Sequence, residues 1–137
     1  MRIAFGTDEE TPLTTAVVAH LRDGGHEVVA VASGEAWPEV GRAVGAAVAD
    51  GRAERGVVCC WTGTGVSIAA NKVPGVRAAL CSDSATAEGA RRWNDANVLA
   101  FGLRLTSVTV AEEMIAAFLG AVPDDDELET IARVEGR

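Results

Sequence analysis

The sequence predicts an α/β fold, a three-layer α-β-α sandwich with a Rossmann-like parallel sheet of five strands. Two observations carry this prediction. Short apolar segments alternate along the chain with longer segments whose apolar residues recur at helical spacing. The apolar segments are also nearly continuous, as is typical of parallel strands buried on both faces. Right-handed crossovers reduce the possible topologies to a few, and we expect the strand order 2-1-3-4-5.

The elements follow one another in strict alternation. The predicted strands are residues 2–6, 27–32, 56–60, 76–81 and 97–102. The predicted helices are residues 12–23, 39–52, 66 onward, 83–93 and 107–119. Pro12 suits a first helical turn, and Gly24-Gly25 ends the same helix. Past Pro123, an acidic run at residues 124–127 precedes a last short helix.

Length and composition indicate one soluble domain, residues 1–137. Hydrophobic residues make up 48% of the chain, enough for a sizeable core, and the net charge of -8 argues against nucleic acid or an anionic membrane as partner. We find no secretory signal and no apolar run of about 18 residues, the length of a membrane span. The three cysteines are therefore expected to be free thiols in a cytoplasmic protein. The two histidines and the cysteines lack metal-ligand spacing, so we expect no metal and no cofactor.

The segment that organises the chain is residues 57–72, VVCCWTGTGVSIAANK. It predicts a buried strand, a turn formed by Thr62, Gly63, Thr64 and Gly65, and the start of a helix. The glycines allow a tight turn, and the helix behind it directs free N–H groups and its positive dipole end the same way. Such a place holds an anion. Cys60 ends the strand beside it, where a thiolate is favoured.

Element order also predicts where this turn meets the rest of the chain. In the expected strand order, the switch point falls between the first and third strands, and ligands bind there at the carboxyl ends of the strands. The loop at residues 7–9 and the loop at residues 61–65 should line one crevice. This places Asp8 beside Cys60.

Several motifs in this order resemble the ribose-5-phosphate isomerase B / galactose-6-phosphate isomerase family, over most of the chain. They are Ile3-Ala4-Phe5-Gly6 with Asp8, residues 60–72, Val76-Arg77-Ala78, Cys81-Ser82-Asp83, and residues 94–102 with Arg104. The resemblance implies an enzyme that interconverts aldose and ketose sugar phosphates without a metal. It also implies a dimer in which the partner subunit completes each site. A homodimer is therefore expected, with a tetramer as the alternative.

The resemblance further implies residue roles. Cys60 would be the base that shuttles a proton. The backbone N–H groups of residues 62–65 would hold a cis-enediolate in the manner of an oxyanion hole. Asp8 and Asn94 would bind sugar hydroxyls, and Arg104 would bind the phosphate.

The sequence departs from the family pattern at several site positions. Glu9 stands where the family has a histidine, and Trp93 stands where the family has its ring-opening histidine. Both remain candidate substrate contacts. The C-terminal segment, residues 120–137, is expected to pack on a partner subunit, but residues 124–127 are acidic where the family has two phosphate-clamping arginines.

These departures predict a substrate other than ribose 5-phosphate. The acidic run would repel a phosphate, so Arg104 would hold it alone or with Arg91, Arg92 or Arg133. A different phosphosugar, a tetrose phosphate and an unphosphorylated sugar all stay open. A tetrose phosphate cannot close a stable ring through its blocked hydroxyl, so it would not need a ring-opening histidine.

Two other functions compete with the isomerase. A nucleotide-binding module is suggested by Gly63-x-Gly65 and by Asp83, which follows the next strand as a ribose-binding acid would. Ile68 at the position of the third glycine weakens it. A sugar-binding protein that keeps the scaffold without catalysis is the second alternative.

Overall fold

The computed structural model describes residues 1–136 and contains the predicted parallel sheet between two layers of helices. The strands are β1 (Arg2–Thr7), β2 (Glu27–Ser33), β3 (Arg55–Cys60), β4 (Ala78–Leu80) and β5 (Val98–Gly102). The helices are α1 (Pro12–Asp23), α2 (Trp37–Ala49), α3 (Thr64–Asn71), α4 (Ser84–Asn94), α5 (Val108–Gly120) and α6 (Leu128–Ala132). Short 3-10 turns at Asp125–Glu127 and Arg133–Glu135 flank α6. None of the helices in this part of the chain has the length and apolarity needed to cross a bilayer.

The predicted order of the last two strands is wrong. The sheet runs β2-β1-β3-β5-β4, so β5 pairs with β3 and β4 lies at the edge. Burial explains this order. All five residues of β5 are buried, as a central strand requires, whereas the three residues of β4 are partly or fully exposed. A short, half-covered strand suits the sheet edge, where one row of backbone groups has no neighbouring strand.

The distribution of helices between the two faces agrees with this order. Helices α1, α4 and α5 pack on one face of the sheet, and α2 and α3 pack on the other. Because crossovers are right-handed, a connection through α4 on the face opposite α3 must run back toward the centre of the sheet. β5 is thereby inserted between β3 and β4. The switch point between β1 and β3 is as predicted.

Two local features differ from or add to the expected elements. Helix α2 begins at Trp37 instead of residue 39, because Pro38 is tolerated within the first helical turn. At the free edge of β4, the Asn71 side chain takes the place of a neighbouring strand. Its amide donates to the Ala78 carbonyl at 2.9 Å and accepts from the Ala78 N–H at 2.7 Å.

Candidate active site

The glycine turn after β3 has the geometry of an anion site. Gly63 adopts a left-handed conformation with φ of 77°, and α3 begins at the next residue. No described side chain caps α3, and the Thr64 N–H has only a long contact, 3.5 Å, to Thr62 Oγ1. The N–H groups of this first helical turn are therefore available to a bound anion.

The turn is held in place by close packing against the end of β5. A Cβ added to Gly63 would lie 2.6 Å from the carbonyl carbon of Phe101, and a Cβ on Gly102 would lie 2.7 Å from the Thr62 carbonyl oxygen. Two glycines facing each other bring the two backbones into direct contact. Gly102 was not singled out as a site residue by the sequence. Its only signal was a glycine within a buried strand, which often marks a close backbone approach.

Tryptophans form the rim of this site. The Trp37 indole lies on Gly65, where an added Cβ would be 2.7 Å from the indole Cε3. Trp61, which directly precedes the turn, is largely exposed. Both rings are partly exposed next to the glycine turn, and aromatic rings in such places often contact a sugar face.

Two adjacent cysteines have different environments, as the alternation of a strand predicts. Cys59 packs in the core formed with α1 and α5, and burial raises its pKa to about 12. Its Sγ lies 3.9 Å from the Gly6 carbonyl oxygen. Cys60 points to the other face, ends β3 directly before the turn, and is 5% exposed. Cys60 is thus the thiol at the carboxyl edge of the sheet, and Cys59 is a core residue.

Asp8 lies at the same edge as Cys60, as predicted. Thr7 pairs in register with Cys59, so the residue after Thr7 follows at the carboxyl end of the sheet. Asp8 Oδ1 is buried and accepts no hydrogen bond from a described residue. Burial raises the pKa of this carboxyl, its own backbone N–H partly offsets the effect, and the charge of Glu9 adds to it. Buried acceptors without partners are rare, and a ligand hydroxyl would satisfy this one.

We expect Asp8→Asn to stabilise the protein at neutral pH, because the folded chain then no longer buries a charge. Since the raised pKa favours the protonated carboxyl in the folded state, the charged form of Asp8 lowers the free energy of unfolding above that pKa. Tm should rise by roughly 1–3 °C at pH 7. The gain should shrink as the pH falls toward 3.8, the ordinary value for this group.

Differential scanning calorimetry of both proteins between pH 4 and pH 8 measures this difference. Asp126→Asn removes an exposed carboxylate and serves as the control, with no expected change in Tm. An Asp8→Asn protein that is less stable than wild type at pH 7 would show that the carboxylate has a partner in solution.

Arg104 and Glu9 flank the crevice. The Arg104 N–H donates to the Trp61 carbonyl at 2.9 Å, which ties the loop after β5 to the glycine turn. The Arg104 side chain is exposed and makes no ion pair with another described residue. Glu9 is exposed, and its carbonyl accepts from Thr7 Oγ1 at 2.7 Å. Arg104 is therefore a cation next to the turn without an ion-pair partner among the described residues.

Trp93 and Asn94 lie far from Cys60 within one chain. Helix α4 starts after the carboxyl end of β4 and runs back along the sheet, so its last two residues reach the amino edge. The next residue, Asp95, accepts hydrogen bonds from Arg77, which directly precedes β4 at this amino edge. The structure does not bring Trp93 and Asn94 together with Cys60 in a single subunit.

Two of the arginines suggested as phosphate ligands are already engaged. Arg91 is 2% exposed and donates to Asp95 Oδ1 and to the Ala96 carbonyl, both at 2.7 Å. Arg92 binds both carboxylate oxygens of Asp124 at 3.0 Å. Neither guanidinium is free for a phosphate. Asp124 is neutralised by the same contact, so the acidic run repels an anion less than its composition suggested.

Asp83 also has a structural partner. Its Oδ1 accepts from the Thr86 N–H at 2.7 Å and caps α4, and this hydrogen bond lowers the pKa of the Asp83 carboxyl. This is the ordinary role of an aspartate before a helix. This structural role weakens the support that Asp83 gave to the nucleotide-binding alternative.

The fold and this crevice define a Rossmann-like α/β protein with an uncapped helix start beside a thiol at the switch point of its sheet. A family model takes the assignment further. The chain belongs to the Ribose/Galactose Isomerase family, whose model matches residues 3–135.

Individual relatives agree with the family. Ribose-5-phosphate isomerase B of Escherichia coli is 38% identical over 145 residues, covering 99% of this chain and 97% of the relative. D-erythrulose-4-phosphate isomerase of Pectobacterium atrosepticum is 44% identical over 85 residues, covering 62% of this chain and 56% of the relative. The structure of Clostridium thermocellum ribose-5-phosphate isomerase B matches with a TM-score of 0.92 and 34% identity over 99% of this chain and 96% of that one. The protein is therefore a sugar-phosphate isomerase, as the motifs predicted.

Proposed function

We propose that the protein interconverts an open-chain aldose phosphate and the matching ketose phosphate, with four carbons, in a site shared by two subunits. The observation that carries this proposal is the position of Cys60. Its thiol ends β3 directly before a left-handed glycine and an uncapped helix, where a base and an oxyanion site lie side by side.

The reaction needs few groups. The Cys60 thiolate removes the proton from the carbon next to the carbonyl, and the electron pair forms the carbon–carbon double bond while the carbonyl oxygen becomes an oxyanion. N–H groups at residues 62–65 stabilise this cis-enediolate. Cys60 then returns its proton to the neighbouring carbon, and a proton moves between the two oxygens. Asp8 Oδ1 accepts a hydrogen bond from a sugar hydroxyl.

Charge at the crevice supports a phosphorylated substrate. Arg104 is exposed beside the turn with no described ion-pair partner, while Asp124 is already paired with Arg92. A single arginine suits a small phosphosugar. The length of four carbons is supported by the Pectobacterium atrosepticum relative, which is named for D-erythrulose 4-phosphate.

A groove along α4 supports the shared site. It encloses about 510 Å³ between β4 and α4 and is mostly apolar. At one end is Leu80, whose side chain contacts Gly63 of the turn, and at the other end are Trp93 and Asn94. In a twofold dimer each contact between the subunits occurs twice, because both subunits use the same surface. Two copies paired along this groove would carry the Trp93 end of each subunit to the glycine turn of its partner.

Subunit mixing tests the shared site. We expect Cys60→Ala and Asn94→Ala homodimers to be nearly inactive, because each site lacks one of its groups. A heterodimer of the two variants contains one site with both changes and one site with neither. Equal mixing with subunit exchange should therefore restore about one quarter of wild-type activity.

Mixing each variant with wild type is the control, since it should only dilute activity in proportion. An affinity tag on one variant, with the untagged variant detected in the captured fraction, confirms that the subunits have exchanged. Activity that stays near zero after exchange would place Asn94 and Cys60 in the same subunit's site, against the geometry of α4.

Proton exchange tests the reaction itself. Wild-type protein in deuterated water with D-erythrulose 4-phosphate should place deuterium on the carbon next to the carbonyl, as read by NMR. The panel includes ribose 5-phosphate, galactose 6-phosphate and unphosphorylated erythrulose. Exchange at an equal rate with unphosphorylated erythrulose would contradict the proposal that the substrate is phosphorylated. No exchange with any sugar would favour a binding protein that keeps the scaffold.

A further inference from the structure

Trp93 is held in one place by two neighbours, Gly89 and Arg92. Its six-membered ring lies on Gly89, where an added Cβ would be 2.6 Å from Cζ3. The Arg92 guanidinium carbon lies 5.8 Å from the ring centroid, within cation–π range. Asp124 in turn fixes Arg92. The half-exposed indole therefore lies against a glycine and beside a guanidinium that is itself anchored.

The Asp124 contact with Arg92 is more than a surface ion pair. Both carboxylate oxygens bind the guanidinium at 3.0 Å, and the Asp124 N–H donates to the Arg92 carbonyl at 2.9 Å. Bidentate pairs of this kind fix orientation as well as distance. The second acid on Arg92, Glu88, makes one contact at 3.5 Å. Asp124 therefore sets the position of Arg92 over the indole.

A fixed indole limits the chemistry at this end of the groove. Ring opening of a furanose requires a group that accepts a proton from one oxygen and gives one to another. An indole N–H only donates and does not titrate near neutral pH. In the proposed dimer, the ring at this end of the 510 Å³ groove would also meet the partner's glycine turn and leave less room there for a longer or cyclic sugar.

We propose that Trp93, positioned by Gly89 and by the Arg92–Asp124 pair, is the specificity-determining wall that restricts this isomerase to short sugar phosphates that cannot form rings. The inference rests on the proposed function, because Trp93 reaches a site only across the shared groove. Asp124 is a positioning residue that acts through Arg92. The acidic replacement in the C-terminal segment thus serves selectivity for the sugar and not repulsion of the phosphate.

The test compares kcat/KM for D-erythrulose 4-phosphate with kcat/KM for ribose 5-phosphate. We expect wild type to prefer the four-carbon substrate by about 100-fold or more. Trp93→Ala should lower this preference at least about tenfold, mainly by raising the value for ribose 5-phosphate. Asp124→Ala should lower the preference in the same direction with dimer mass unchanged, whereas a merely structural role would lower Tm without changing the preference. Trp93→His introduces a side chain that can transfer protons. Of the three variants, it should raise kcat/KM for ribose 5-phosphate the most.

Glu88→Gln is the matched control. It removes a negative charge next to Arg92 but leaves the bidentate contact of Asp124 with Arg92 in place, so the preference should not change. A preference that is unaltered in Trp93→Ala and Asp124→Ala overturns this inference while the isomerase stands. A wild type that acts on neither sugar overturns the proposed function and the inference together. A wild type that prefers ribose 5-phosphate overturns the inference and the four-carbon length of the proposed substrate, while the isomerase reaction stands.

Discussion

Replacing Cys60 with alanine is expected to abolish solvent exchange of the substrate proton and to lower kcat by about 10²- to 10⁴-fold, the usual contribution of a positioned base. The thiol is the only titratable side chain that ends β3 at the anion site. Because exchange reports proton removal itself, it separates loss of the base from slow product release. KM should change little, since the proposed role of Cys60 is at the reacting carbon and not at the phosphate.

Cys59→Ala provides a control within the same strand. Cys59 is fully buried on the other face of the sheet, so its loss should lower Tm but leave kcat within about twofold, because it touches no substrate. If the Cys60→Ala protein retains exchange, the base lies elsewhere in the crevice. Asp8 is then the first group to change, because its buried Oδ1 has no hydrogen-bond partner within residues 1–136.

The glycine turn of the crevice could be predicted from the sequence because the residues that form it are neighbours in the chain. An apolar run at residues 57–60 followed by two glycines predicts strand, turn and helix from residues that are neighbours in the chain. The order of elements then places Asp8 beside Cys60 through the switch-point rule. The order of β4 and β5 did not follow, because both orders allow right-handed crossovers. Only burial in the folded chain puts β5 in the centre.

The role of the acidic run could not be predicted for a different reason. Counting charges at residues 124–127 suggests repulsion of a phosphate. Whether a carboxylate repels depends on its partner, and Arg92 lies 32 residues away from Asp124 in the chain. That contact exists only because α4 and the C-terminal segment pack together. The resemblance likewise assigns roles to Trp93 and Asn94, but only the course of α4, which runs back to the amino edge of the sheet, separates them from Cys60 within one chain.

Replacing Gly63 with alanine is expected to disrupt the anion site more than any other single methyl group would. Alanine must adopt φ of 77°, which costs about 1–2 kcal/mol for a residue with a Cβ. The new Cβ would also lie 2.6 Å from the Phe101 carbonyl carbon and 2.8 Å from its oxygen, atoms of a central strand that cannot move aside. The turn must therefore shift away from β5. A shift of about 1 Å in the N–H groups should lower kcat about 10²-fold.

Gly51→Ala separates the two causes. Gly51 has φ of 83°, close to that of Gly63, but a Cβ there would meet nothing within 4 Å. It should lose about the same 1–2 kcal/mol of stability from its conformation and keep full activity. Tm and kcat/KM of both variants measure the difference. Equal losses of Tm with equal activity would mean that the turn tolerates displacement, and the N–H groups of residues 62–65 would then not be the groups that hold the enediolate.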